Sequence, residues 1–124
     1  MNPCNAVSLY GTVESVQIIK NREDKEFAVR FRLKVKRAYR GSDGNYGHDL
    51  ITVKYELDDA GRGKIARSIA PNDGLHVIGS IRVDEYKGNF LTYVFADAIS
   101  LDENTRSRKF GGEKIVTMSE DLPY

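Results

Sequence analysis

The chain has 124 residues, 40% hydrophobic and 30% charged, which gives it material for one core, too little for two, and the composition of an ordinary globular domain. No stretch approaches the roughly 20 apolar residues of a membrane span, no basic and apolar leader opens the sequence, and the lone Cys4 excludes an internal disulfide, so a cytoplasmic setting with no membrane partner is expected. The net charge of +1 excludes a uniformly basic surface but hides a local excess: nine Lys or Arg between Lys20 and Arg40 face only Glu23, Asp24 and Glu26.

The opening segment NAVSLYGTVESVQII places apolar side chains at Val7, Leu9 and Val13, then changes phase to Val16 and Ile18. That change predicts a long strand broken by a bulge near Glu14 and Ser15, the kind of bend a small closed barrel requires of its first strand. In FAVRFRLKVKR, Phe27, Val29, Phe31, Leu33 and Val35 alternate with Ala28, Arg30, Arg32, Lys34 and Lys36, a strand with one dry face and one basic face. Such a face suits a polyanion, or simply a solvated sheet.

GSDGNYGH, residues 41–48, is turn chemistry rich in Gly, Asn and Asp. A third strand is expected from Asp49 to about Glu56, with Ile51, Val53 and Tyr55 sharing a side. Ile65, Ala66 and Ile69 predict a short helix over residues 60–69, weakened at its start by Gly61 and Gly63 and stopped by Pro71 and the NDG turn. LHVIGSIRVDEY then alternates, KGN makes a tight connection, and FLTYVFADAI is apolar on both faces, so both are expected to be covered. From Asp102 onward periodicity is lost, and residues 102–124 are expected to form a flexible tail on a domain spanning 1–101.

Three strands, a short helix and two more strands, all antiparallel in character, is the order of the OB-fold, an all-β, five-stranded Greek-key barrel whose face and loops often bind oligonucleotides. A seven-stranded sandwich would not fit in the available length.

Particular residues carry a further likeness. Asn5, Val7, Leu9 and Gly11 follow an N-x-V-x-L-x-G first strand; VKRAY ends the second; Asp49, Ile51 and Val53 stand in the third; GSIRVDEY and TYVFADAI stand in the fourth and fifth. In this order the pieces resemble the bacterial and phage single-stranded DNA-binding proteins, over roughly residues 2–101 and again over the last five. The resemblance implies a protein, not an enzyme, that coats single-stranded DNA in replication, repair, recombination or mobile-element transfer. It also implies a homotetramer of paired dimers, with a dimer as the fallback. An OB-fold adaptor of the primosome type, acting mainly through protein contacts, is the alternative.

Holding a single strand without reading its sequence takes cations along the phosphates and flat side chains for unpaired bases. Arg30, Arg32, Lys34 and Lys36, with Arg37 and Arg40 beyond them and Arg82 in the fourth strand, are the candidate phosphate partners. Tyr39 and Tyr86 fall where the resemblance implies stacking aromatics, at the mouth of the strand two to three loop and in the strand four to five hairpin. Tyr55 joins the candidates although its phase with Ile51 and Val53 favours the core, and Phe90 and Tyr93 are left undecided. The closing SEDLPY resembles the family's acidic tip, in which Glu120, Asp121, Leu122, Pro123 and Tyr124 would dock replication and repair proteins.

Other chemistries find no support. GRGK at residues 61–64 would need Gly at Asp58 and Ser or Thr at Ile65 to make a phosphate loop. His48 and His76 have no partner at ligand spacing, so no metal or cofactor is expected, and no nucleophile elbow positions a serine.

Overall fold

The computed structural model describes residues 3–57 and 62–110. Its elements are β1 (Val7–Lys20), β2 (Glu26–Arg40), β3 (Tyr46–Glu56), α1 (Arg62–Ser68), β4 (Gly74–Tyr86), β5 (Asn89–Leu101) and α2 (Glu103–Phe110). The strands close into a barrel in the order β1-β2-β3-β5-β4.

One strand can serve two neighbours only if it bends, and β1 does so where its hydrophobic phase changes. Its first half pairs with β4 from Val7↔Gly79 to Thr12↔Gly74; its second half pairs with β2, with the register slipping between Val13 and Ser15. Before β1 begins, the Asn5 side chain continues its edge: its Nδ2 donates to the Ile81 carbonyl at 2.7 Å and its Oδ1 accepts from the Ile81 amide at 2.9 Å. The amide thus imitates one more residue of strand.

The pairing is not antiparallel throughout. The helical crossover after β3 delivers β4 to the far side of β1, and β5 returns alongside β3 in parallel, through Val53↔Val94 and Lys54↔Phe95. Because β3 and β5 run the same way, the β2–β3 and β4–β5 hairpins leave the same end of the barrel. Their strands begin at Tyr46 and Asn89, well before the rung that joins them, so each arm reaches about 15–25 Å past that rung at ~3.3 Å per residue. The β4–β5 arm turns through Lys87 and Gly88, both at positive φ (50° and 81°), the two-residue geometry that matches strand twist. The β2–β3 arm is longer than the turn chemistry of residues 41–48 implies, since pairing extends to Arg40↔Tyr46.

The core follows the expected alternation. Val29, Phe31, Leu33, Val53, Leu75 and Val77 are buried, with Val94, Ala96, Ile99 and Leu101 contributed by β5. Ile65, Ala66 and Ile69 of the α1 region plug the end opposite the arms. On β5, coverage of both faces holds only in part: Ala98 is exposed, as are Phe90 and Leu91 in the arm.

Residues 103–110 depart from the expected flexible tail. Asp102 caps α2, its Oδ1 accepting from the Thr105 amide at 2.8 Å, and the buried Thr105 hydroxyl accepts from the Gly74 amide at 2.8 Å. The Asp73 carboxylate, 2% exposed, takes Arg108 at 3.0 Å, Lys109 at 2.9 Å and the Ala70 amide at 2.8 Å. Lys109 also donates to the Ser68 carbonyl at the end of α1. Periodicity could not reveal α2 because polar contacts, not an apolar stripe, dock it. Among the described residues no helix is long and apolar enough to cross a membrane, and no three His, Cys, Asp or Glu gather as metal ligands.

Candidate nucleic-acid interface

Side chains in register across a sheet share a face. On the outside of the barrel this rule aligns Ser80, Phe95, Lys54, Arg30 and Gln17 in one transverse row, followed by Ser15, Arg32 and Thr52, then Thr12, Lys34 and Leu50, then Lys36 and His48. Arg30, Arg32, Lys34 and Lys36 of β2 therefore climb the middle of the face toward the arms. Next to them opens a cleft of about 590 Å³, lined by Arg30, Arg32, Thr52 and Lys54 on one side and Leu91 and Tyr93 of the β4–β5 arm on the other.

The cations differ in how they are held. Arg30 donates to the Gln17 Oε1 at 2.8 Å, an arrangement that orients the guanidinium without neutralising it. Arg32 lies 3.8 Å from Glu14 at the bulge, a loose and exposed pair of small energetic weight. Arg82 stacks on the Phe95 ring, with its guanidinium carbon 3.8 Å from the centroid; this shields one apolar side chain on the outer face and presents a flat cation beside it. Tyr93 donates to Asp84 at 3.0 Å. Burial, then that bond, raise the Tyr93 hydroxyl above its ordinary pKa, with Arg82 pulling slightly the other way, so the hydroxyl stays protonated and the ring stays fixed against the cleft wall.

At the arms the aromatics are exposed, the Tyr86 ring with Lys87 Nζ 5.3 Å from its centroid. Tyr39 is 66% exposed on the β2–β3 arm, and Tyr86 and Phe90 are 63% and 70% exposed near the tip of the β4–β5 arm. Tyr46 is held beneath two cations, with Lys36 Nζ 4.1 Å and the Arg40 guanidinium carbon 5.3 Å from its ring centroid.

One candidate, Tyr55, lies inside, and another, Arg37, is paired. Tyr55 is 6% exposed in the barrel core, opposite Val29; its phase with Ile51 and Val53 turns it inward, so it offers no face to a base. Arg37 is committed to Asp49, with Nε 3.2 Å from both carboxylate oxygens and Nη2 2.7 Å from Oδ1. The hydrogen bonds from Arg37 hold the Asp49 carboxyl below its ordinary value and in return raise the guanidinium; the pair stays ionised together. The remaining candidates, Arg30, Arg32, Lys34, Lys36, Tyr39, Arg40, Arg82 and Tyr86, lie on the outer face or the arms. The tip residues Glu120, Asp121, Leu122, Pro123 and Tyr124 lie outside the described residues.

Sequence reasoning missed Lys54 and Phe95, which complete the row through Arg30. Lys54 was legible: it alternates with Val53 and Tyr55. Phe95 was not, because a strand apolar on both faces does not say which face is outside.

No family model matches the chain, and no curated protein does either. Solved structures do. The small single-stranded DNA-binding protein of Streptomyces coelicolor superposes with a TM-score of 0.57 at 20% identity, covering 80% of this chain and 93% of that one. The barrel has the OB-fold. The Plasmodium falciparum SSB in complex with ssDNA gives a TM-score of 0.65 at 14% identity, over 83% and 98% of the two chains. The N-terminal domain of PriB from Thermoanaerobacter tencongensis, described as dimeric, gives 0.57 at 19% identity over 80% and 97%.

Proposed function

We propose that this protein binds single-stranded DNA without sequence preference. The observation that carries the reading is the cation ladder of β2, which runs beside a cleft toward two arms whose exposed tyrosines stand at the same end of the barrel. A phosphate backbone following the ladder meets Arg30, Arg32, Lys34 and Lys36 in turn, and its unpaired bases find Tyr39 and Tyr86 as stacking platforms. The likeness to an SSB solved in complex with ssDNA supports the reading. In cells the protein coats and protects single strands during replication, repair, recombination or mobile-element transfer, as a homotetramer or, failing that, a dimer. Titration with homopolymeric DNA of several lengths, reading stoichiometry and mass together in the presence of magnesium, tests binding, assembly and cleavage at once. Tight binding to several homopolymers without cleavage is expected; no binding, or turnover of the strand, would end this reading.

The tip has a separate role. Leu122 and Tyr124 offer buried area to a partner's pocket, Pro123 restricts the unbound ensemble, and Glu120 and Asp121 steer toward basic residues. Deleting residues 120–124 is expected to leave the fold intact and DNA affinity equal or slightly higher at low salt, while abolishing recovery of helicase, nuclease or polymerase-accessory partners. Unchanged recovery would refute docking.

A further inference from the structure

The β2–β3 arm contains a weak point. Its ladder runs regularly to Lys36↔His48 and resumes only at Arg40↔Tyr46, so Arg37, Ala38 and Tyr39 together stand opposite Gly47. Every residue from 36 to 46 is exposed, so no core supports this bulge. A two-stranded ribbon without a core is marginal in water, and a bulge within it interrupts the ladder and re-aims the side chains it carries. Tyr39 is one of those side chains.

The Arg37–Asp49 pair spans this gap. The Arg37 side chain lies across Gly47: a Cβ added there would come within 3.3 Å of Arg37 Cδ and 3.5 Å of Nη1. Beyond Gly47 the guanidinium closes on both oxygens of Asp49, itself anchored in the regular ladder opposite Val35. A bidentate fork fixes both direction and distance, which a single lysine contact would not. Both partners are about half exposed, at 45% and 51%, so the pair contributes little to global stability; its effect is local order.

We infer that Arg37 and Asp49 are positioning residues for Tyr39: the fork ties the bulge to the ladder and holds the Tyr39 ring ready to receive a base. This deepens the single-strand-binding reading and rests on it. It also opposes the simpler view of the pair, in which Asp49 merely masks a cation that could otherwise bind phosphate. The two views give opposite signs for one substitution.

The test is a double-mutant cycle of Asp49→Asn and Tyr39→Ala, titrated with a thymidine homopolymer over a range of salt. If the fork orders Tyr39, Asp49→Asn weakens binding about 3–10-fold, part of the stacking contribution of one base, leaves the salt slope unchanged, and costs nothing further in the Tyr39→Ala background. Tighter binding with a steeper salt slope would overturn the inference and make Asp49 a mask. No effect of Asp49→Asn, an equal loss in both backgrounds, or loss of the fold would overturn it as well. Failure of the unsubstituted protein to bind the homopolymer would instead remove the functional reading beneath it.

Discussion

The two ends of β5 contrast in nearly every physical respect. At Leu101 the strand enters a closed end: α1 plugs the barrel, α2 lies against it, the Gly74 amide donates to the buried Thr105 hydroxyl, and the buried Asp73 carboxylate takes the Ala70 amide, Arg108 and Lys109. At Asn89 the strand leaves an open end where Tyr86, Phe90, Leu91 and, across the barrel, Tyr39 expose large rings and chains to water. Hydrophobic burial accounts for the first end and cannot account for the second, since these side chains remain mostly exposed in the free protein. The closed end therefore secures the fold and the open end is available to a ligand. Substitutions at the two ends should separate cleanly into effects on stability and effects on binding.

The largest effect is expected midway, on the cation ladder. Replacing Arg30, Arg32 and Lys54 together with Ala should flatten the plot of log affinity against log salt by about 0.7 for each phosphate that is no longer neutralised and lower affinity at low salt by about a hundredfold or more, with thermal stability nearly unchanged. An unaltered salt slope would remove these three cations from the DNA path.

Next come single residues chosen from opposite ends. Tyr39→Ala or Tyr86→Ala should weaken binding by about 1–3 kcal/mol for each well-stacked base, with the salt slope preserved because every phosphate keeps its cation. Asp73→Ala should do the reverse. It leaves the Ala70 amide and the Lys109 ammonium without their buried acceptor, at a cost of about 1–3 kcal/mol in unfolding free energy, with DNA affinity unchanged in the folded protein. Urea unfolding and oligonucleotide titration of the same variants measure both quantities. A stability loss at Tyr39, or a binding loss at Asp73, would blur the division between the ends.

The open end was more legible in sequence than the closed end. Alternation in β2 revealed the basic face at once, and hairpin chemistry marked both arms, because such signals are local. The bulge at Glu14 was legible too, as a change of phase. Parallel pairing of β3 with β5 was not, since it depends on where the crossover delivers β4. Arg37 counted as a free cation because its partner Asp49 lies across a hairpin, and Tyr55 remained a candidate although its own phase placed it inside. Residues 103–110 read as tail because the side chains that dock α2, Arg108 and Lys109, look like solvated charge until Asp73 is found buried beneath them.

The smallest expected effect concerns the seam of the closed end, and it depends on pH. Asp102 accepts from the Tyr10 hydroxyl at 2.7 Å and caps α2 through the Thr105 amide. Burial pushes its carboxyl upward, but the Thr105 amide, the Tyr10 and Thr105 hydroxyls and the charge of His76 outweigh this and hold it below the ordinary carboxylate value. A depressed folded pKa means that the ionised form is the one the fold prefers. Its contribution is complete above the unfolded value near 3.8 and is lost as pH falls through the lower, folded value. The same bond, chiefly, and then burial raise the Tyr10 hydroxyl; that contribution is present below the ordinary value of 10.0 and is lost as pH climbs beyond it toward the raised one. The cap is thus strongest between these limits. Asp102→Ala should cost about 0.5–2 kcal/mol, the usual range for a lost N-cap. Hydrogen exchange at the Thr105 and Arg106 amides should accelerate in the native protein as pH falls below about 4, after correction for intrinsic rates, and Asp102→Asn should remove that step. Persistence of the step in Asp102→Asn would assign the acid sensitivity of α2 to another carboxylate.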